Sequence, residues 1–132
     1  MIVIVCLDDK GGMAFNNRRQ SRDSLLCAKL VELSGNGRLL MNGYSAKLFK
    51  DQTVTVDEDF MEIAQKGDFC FVENTKLLPY YDKIEGVILF KWNKVYPSDV
   101  KLDISLDGMT LRETFDFAGS SHDKISCEVW KK

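Results

Sequence analysis

Three arginines fall within five positions in the segment Asn16-Asn17-Arg18-Arg19-Gln20-Ser21-Arg22-Asp23. Guanidinium forks grip phosphate or carboxylate oxygens in pairs, and free N–H groups at a helix start favour an anion. Arg18, Arg19 and Arg22, with Asn17 beside them, therefore have two readings. They form an anion or nucleotide site, or a solvated charged loop with internal pairs to Asp8, Asp9 or Asp123. The single histidine, His122, has an imidazole suited to proton transfer near neutral pH. Its place in a polar loop between two strands predicts exposure. Ser120, His122 and Asp123 are the residue types of a nucleophilic triad, but neighbours on one loop cannot easily point at each other in series. One histidine also excludes a multi-histidine zinc hydrolase. Cys6, Cys27, Cys70 and Cys127 lack the paired spacing of a structural zinc site and read as reduced, buried small hydrophobes. No metal is expected.

Alternating strands and helices must position these residues. Met1 to Leu7 reads MIVIVCL, a β-branched run suited to a central strand buried on both faces. Met13 to Arg22 reads as a long irregular loop. A helix follows, capped by Ser21 or Asp23, with Leu25, Leu26, Leu30 and Leu33 at helical spacing. Arg38 to Met41 is a second buried strand, and Asn42-Gly43 turns into a short helix. Asp57 to Lys66 reads as a helix with acidic residues in its first turn, and Phe69 to Val72 and Val87 to Trp92 as strands. Thr110 to Phe117 and Lys124 to Trp130 alternate as a long antiparallel hairpin. This order predicts one α/β domain over residues 1–132: a mixed, mostly parallel twisted sheet with helices on both faces and a C-terminal antiparallel hairpin.

The 132 residues carry a net charge of -2, which argues against general nucleic-acid or membrane affinity. Hydrophobic residues at 45% and charged residues at 29% fit a globular core. The apolar run Ile2 to Leu7 is too short for a secretory leader, and no stretch approaches a bilayer span, so a cytoplasmic protein is expected.

The element order resembles dihydrofolate reductase. MIVIVCLDD and the glycines after it resemble that family's first strand and active-site loop. RLLMNGYSAKLF resembles its second strand, glycine turn and short helix. VDEDFMEIAQKGDFCFVEN resembles the helix–strand unit leading to its glycine pair, and FDFAGSSHDKISCEVWKK its terminal hairpin. The resemblance implies that Asp23 stands where the family has the carboxylate that grips the pterin and assists proton transfer. A helix-capping carboxylate is the alternative. It also implies that the Arg-rich loop and the hairpin loop share one mouth, which brings Ser120, Ser121, His122 and Lys124 towards Arg18 to Arg22.

Departures from the family pattern fall on its ligand contacts. Glu73 and Asn74 replace the adjacent glycines that let backbone approach the cofactor pyrophosphate, and a carboxylate there opposes an anion by charge and by volume. No tryptophan stands in the active-site loop, and no arginine lies between Phe49 and Phe60 for the folate tail. Gly43 and Ser45 remain as phosphate donors. The expectation is a reductase-like fold without its chemistry, binding a phosphorylated small molecule or an acidic protein surface through the Arg-rich loop, with no cofactor. The alternative is a divergent NADPH-dependent reductase of a pterin-like or other heterocyclic substrate.

Overall fold

A computed structural model describes residues Met1–Lys132. Its strands are β1 Ile2–Leu7, β2 Gly12–Phe15, β3 Arg18–Arg19, β4 Leu39–Met41, β5 Thr55–Val56, β6 Phe69–Phe71, β7 Gly86–Lys91, β8 Val100–Lys101, β9 Thr110–Phe117 and β10 Ile125–Lys131. Its α-helices are α1 Ser24–Ser34, α2 Gly43–Ala46 and α3 Phe60–Ile63. Seven strands form the main sheet in the order β5-β4-β6-β1-β7-β10-β9. The first five are parallel, and β10 pairs antiparallel with both β7 and β9.

Period-two alternation divides the core into two layers. Val3, Val5 and Leu7 of β1 join Leu40, Cys70, Val87 and Leu89 beneath Phe60 and Met61 of α3. Ile4 faces the other way, with Phe71, Ile88, Phe90 and Cys127 beneath Leu26 and Leu30 of α1. Each face thus carries a helix, as the sequence predicts, although α1 is the only one longer than a single turn.

Two segments differ from the expectation. The stretch read as an irregular loop folds into the β2–β3 hairpin, with Ala14 opposite Arg19 and Phe15 opposite Arg18. Asn16 and Asn17 make its two-residue turn at φ 52° and 60°. Asparagine tolerates this left-handed region better than most residues, and a turn with both central residues there matches the twist of a hairpin. With β8 it makes a separate three-stranded sheet. The helix expected over Asp57 to Lys66 is only the single turn α3. Ala64 is already extended, and the Asp68 carboxylate accepts from the Gln65 amide at 2.8 Å, which draws that donor out of the helical ladder.

The topology fixes where chemistry can gather. The parallel strands all end on one edge of the sheet, the edge where open α/β sheets bind ligands. Ser126 of β10 pairs with Lys91 at the end of β7, so the β9–β10 loop reaches the same edge.

Candidate functional site

Asp23 caps α1. Its Oδ1 accepts from the amides of Leu25 at 3.0 Å, Leu26 at 3.1 Å and Ser120 at 2.9 Å. Its Oδ2 accepts from the Ser121 amide at 2.8 Å, the Ser121 hydroxyl at 3.2 Å and His122 Nδ1 at 3.0 Å. Gly119 permits this approach, because a Cβ there would overlap the Asp23 carboxylate and lie 2.8 Å from Ile125 Cδ1. Burial pushes the Asp23 carboxyl upward, but the hydrogen bonds from Ser121, Ser120, His122 and Leu26 outweigh it and hold the group well below the usual carboxylate range. The group thus has a pKa lowered by its many hydrogen-bond donors. It holds no proton to donate near neutral pH.

His122 is buried, contrary to the exposure expected of its loop. Its Nε2 meets Ser21 Oγ at 3.0 Å and the Tyr96 hydroxyl at 3.2 Å, and its ring stacks on Trp92 at 4.6 Å between centroids. The Arg-rich segment and the hairpin loop therefore meet at one edge of the sheet. Ser120 Oγ accepts from both the amide and the hydroxyl of Ser24, at 3.0 and 2.9 Å, and the Arg22 carbonyl, 3.0 Å from Ser121 Oγ, is an alternative acceptor for the Ser121 hydroxyl proton.

The three arginines separate. Arg18 is exposed beside Phe15, Asn16, Tyr96 and Pro97. Arg19 turns inward and forks onto Glu73, with Nε 2.7 Å from Oε2 and Nη2 2.9 Å from Oε1. The internal pairing expected with Asp8, Asp9 or Asp123 does not form, because the β2–β3 hairpin carries Arg19 to the end of β6 instead. The Tyr44 ring lies 4.2 Å below the guanidinium, and the Tyr44 hydroxyl accepts from the Arg19 amide at 3.1 Å. Burial disfavours the Arg19 cation, but the hydrogen bonds and charge of Glu73 more than compensate and raise its pKa. Arg22 points outward. Asn17 occupies the exposed β2–β3 turn, and the exposed Lys124 joins the cluster only through its carbonyl, which accepts from Asn93 Nδ2 at 3.2 Å.

Gly43 and Ser45 already serve the chain's own carboxylates. The Gly43 amide donates to Glu58 Oε2 at 2.8 Å, and the buried Ser45 hydroxyl donates to Glu73 Oε1 at 2.7 Å. Glu73 is thus held from two sides, by Arg19 and by Ser45.

Two of the spaces on this edge border Asp23. A cavity of about 20 Å³ lies among Ser21, Asp23, Leu26, Cys27, Phe71 and Trp92. That volume admits about one water molecule. Outside it runs a groove of about 490 Å³ bordered by Arg22, Lys47, Lys50, Ser24, Ser120 and Ser121. Lys47 and Lys50 were not among the residues singled out from sequence. Their spacing of three in a short helical stretch, with no arginine or histidine nearby, gave no ligand signal. The cysteines are all free thiols. Cys70 and Cys127 are buried while Cys6 and Cys27 are partly exposed, and burial lifts Cys27 and Cys70 to about 11 and Cys127 to about 12. No cluster of three or more His, Cys, Asp or Glu side chains is placed to hold a metal ion. No helix is long and apolar enough to cross a membrane.

The mixed sheet with its terminal hairpin is a dihydrofolate reductase-like fold. Among solved structures, the chain matches dihydrofolate reductase from Enterococcus faecalis, determined in complex with NADP(H) and RAB-propyl. The TM-score is 0.67 at 9% sequence identity, over 98% of this chain and 94% of that one. No protein-family model matches the sequence, and no curated protein matches it. The similarity is therefore one of fold.

Proposed function

We propose that this chain is a binding domain of dihydrofolate reductase-like fold that takes a phosphorylated small molecule in the groove of Arg22, Lys47 and Lys50, and that it does not use NADPH. The observation that carries this reading is the placement of Glu73. The resemblance implies glycine backbone at this position, close to a cofactor pyrophosphate, whereas here Arg19 and Ser45 both bind the Glu73 carboxylate. A pyrophosphate brought there meets a like charge with its matching donors already spent. NADPH does not fit these residues. A pterin-like substrate does not fit the neighbouring space of about 20 Å³ either, since ligand pockets run to about 300–1,000 Å³.

The groove has the opposite character. Its volume of about 490 Å³ suits a small ligand. Three cations border it, and the only carboxylate on its wall, Asp23, spends both oxygens on internal donors. Ser120 Oγ accepts twice from Ser24, which leaves the Ser120 O–H proton free to donate towards the groove. The first amides of α1 are already taken by Asp23 and Ser120, so side-chain cations supply the attraction rather than the helix dipole.

Isothermal calorimetry with a series of sugar phosphates and nucleoside monophosphates tests the reading. At least one should bind in the micromolar range and lose affinity at least tenfold in the triple variant R22Q/K47Q/K50Q. Binding of an acidic peptide with no affinity for any small phosphate would move the reading to an acidic protein partner. Unchanged affinity in the triple variant would place the site elsewhere.

A further inference from the structure

Ser21, His122 and Asp23 stand in series. We infer that they form a nucleophilic relay that accepts an acetyl-sized acyl group from a carboxylic ester, an activity beyond phosphate binding in the groove whose wall Asp23 also joins. The Asp23 carboxylate can only accept, so the His122 nitrogen 3.0 Å from it, Nδ1, carries the ring proton. Nε2 then presents its lone pair, and Ser21 Oγ lies 3.0 Å away. Carboxylate, imidazole and hydroxyl follow in the order that nucleophilic catalysis requires.

The members come from two separate segments. Ser21 and Asp23 precede α1, while His122 lies 99 positions from Asp23 on the β9–β10 loop. This removes the objection to Ser120, His122 and Asp123, which are neighbours on one loop. Trp92 stacks on the imidazole and fixes its plane. Asp23 and His122 are buried, whereas Ser21 is partly exposed, so the base is dry and the nucleophile can be reached. The Tyr96 hydroxyl also approaches Nε2, at 3.2 Å. One lone pair accepts one proton at a time, and Ser21 is the nearer donor.

The amides of Ser21, Arg22 and Asp23 have no acceptor within the protein. These N–H groups belong to the segment that carries the nucleophile and remain available as donors to a developing oxyanion. The adjoining cavity of about 20 Å³ takes at most a methyl-sized group on the carbonyl carbon, which restricts the acyl part to acetyl. In the acylation step, Ser21 Oγ bonds to the carbonyl carbon as its proton passes to His122 Nε2. The bond from carbon to the leaving alcohol then breaks, and the alcohol takes that proton. Water, giving a proton to Nε2, attacks the Ser21 ester, and the proton returns to Ser21 Oγ as the acid leaves. Ester and water become acid and alcohol. Ser21 and His122 are the catalytic residues, and Asp23 positions the imidazole.

The test incubates the full chain with 4-nitrophenyl acetate and maps the product by peptide mass spectrometry. The expected result is a burst of 4-nitrophenolate equal to one per chain and a hydroxylamine-labile acetyl ester on Ser21. S21A should lose both while keeping the wild-type thermal unfolding profile. H122Q, with Ser21 intact, should acylate at least about 100-fold more slowly. A chain with no ester on Ser21, acetyl groups only on hydroxylamine-resistant lysine amides, or an equal burst from S21A would each overturn the inference. If S21A fails to fold, S21C replaces it. That variant keeps a nucleophile and should carry the acetyl group as a thioester, and an unacylated S21C overturns the inference equally.

Discussion

The Arg19 guanidinium is spent on Glu73, 54 residues away in sequence, in a forked pair with N–O distances of 2.7 and 2.9 Å. The two side chains are 17% and 8% exposed, so solvent screens the pair little. An arginine that looks free to bind a ligand in the sequence is a structural bond between the β2–β3 hairpin and the end of β6.

E73A should therefore lower the unfolding free energy by about 3–5 kcal/mol, because it strands a half-buried cation. Replacing both partners with apolar residues of similar volume, as in R19M/E73M, should recover most of that loss. Urea unfolding of the two variants beside the wild type measures it. Equal instability in the single and double variants would contradict the pairing.

The arginines should separate in stability as they do in space. R19Q should shift the urea midpoint clearly, whereas R18Q and R22Q, whose parent side chains are exposed, should leave it where it is. Exposed charges away from a partner contribute little. Three equal shifts would mean that all three act in one network.

Acid should weaken the fold through Asp23. Its folded pKa is depressed, as are those of Asp8, through hydrogen bonds that outweigh burial, and of Asp68, chiefly through Arg38. A depressed carboxylate favours the folded state fully above its unfolded pKa of about 4. That contribution is lost as pH falls through the folded value. The melting temperature should thus hold steady down to about pH 5 and fall steeply below about pH 4. D23N should fall less steeply, from a lower starting point. Parallel curves for D23N and wild type would exclude Asp23 as a source of acid sensitivity.

G119A should disturb the same cluster without touching a charge. The added Cβ overlaps the Asp23 carboxylate, so the loop must retreat, at a cost of about 1–3 kcal/mol typical of overpacking. His122 should then slip from its stack on Trp92 and change the indole fluorescence. An unchanged emission spectrum and melting temperature would show that the loop has room to spare.

Local pattern made much of the frame legible. The β-branched run of β1, the alternation of β9 and β10 and the cap at Asp23 each depend on residues close together in sequence. The β2–β3 hairpin also had a local signal, since Asn16-Asn17 suits a two-residue turn with positive φ. The polar arginines around it hid the strand pattern. The site was less legible because its bonds span the chain. Nothing near residue 73 marks Glu73 as the partner of Arg19, and nothing near residue 122 shows that Asp23 buries the imidazole. The resemblance brought the two loops together. It did not indicate that carboxylates of the chain itself would take the Gly43 and Ser45 donors.

Titration of NADPH into the wild-type chain by isothermal calorimetry tests most directly the proposal that this chain, with Glu73 in place of glycine, does not bind the cofactor. Each lost charge-assisted bond removes about 1.5–3 kcal/mol, so loss of several leaves no affinity tighter than about millimolar. Heat of binding with a micromolar dissociation constant would contradict the account and restore the reductase reading.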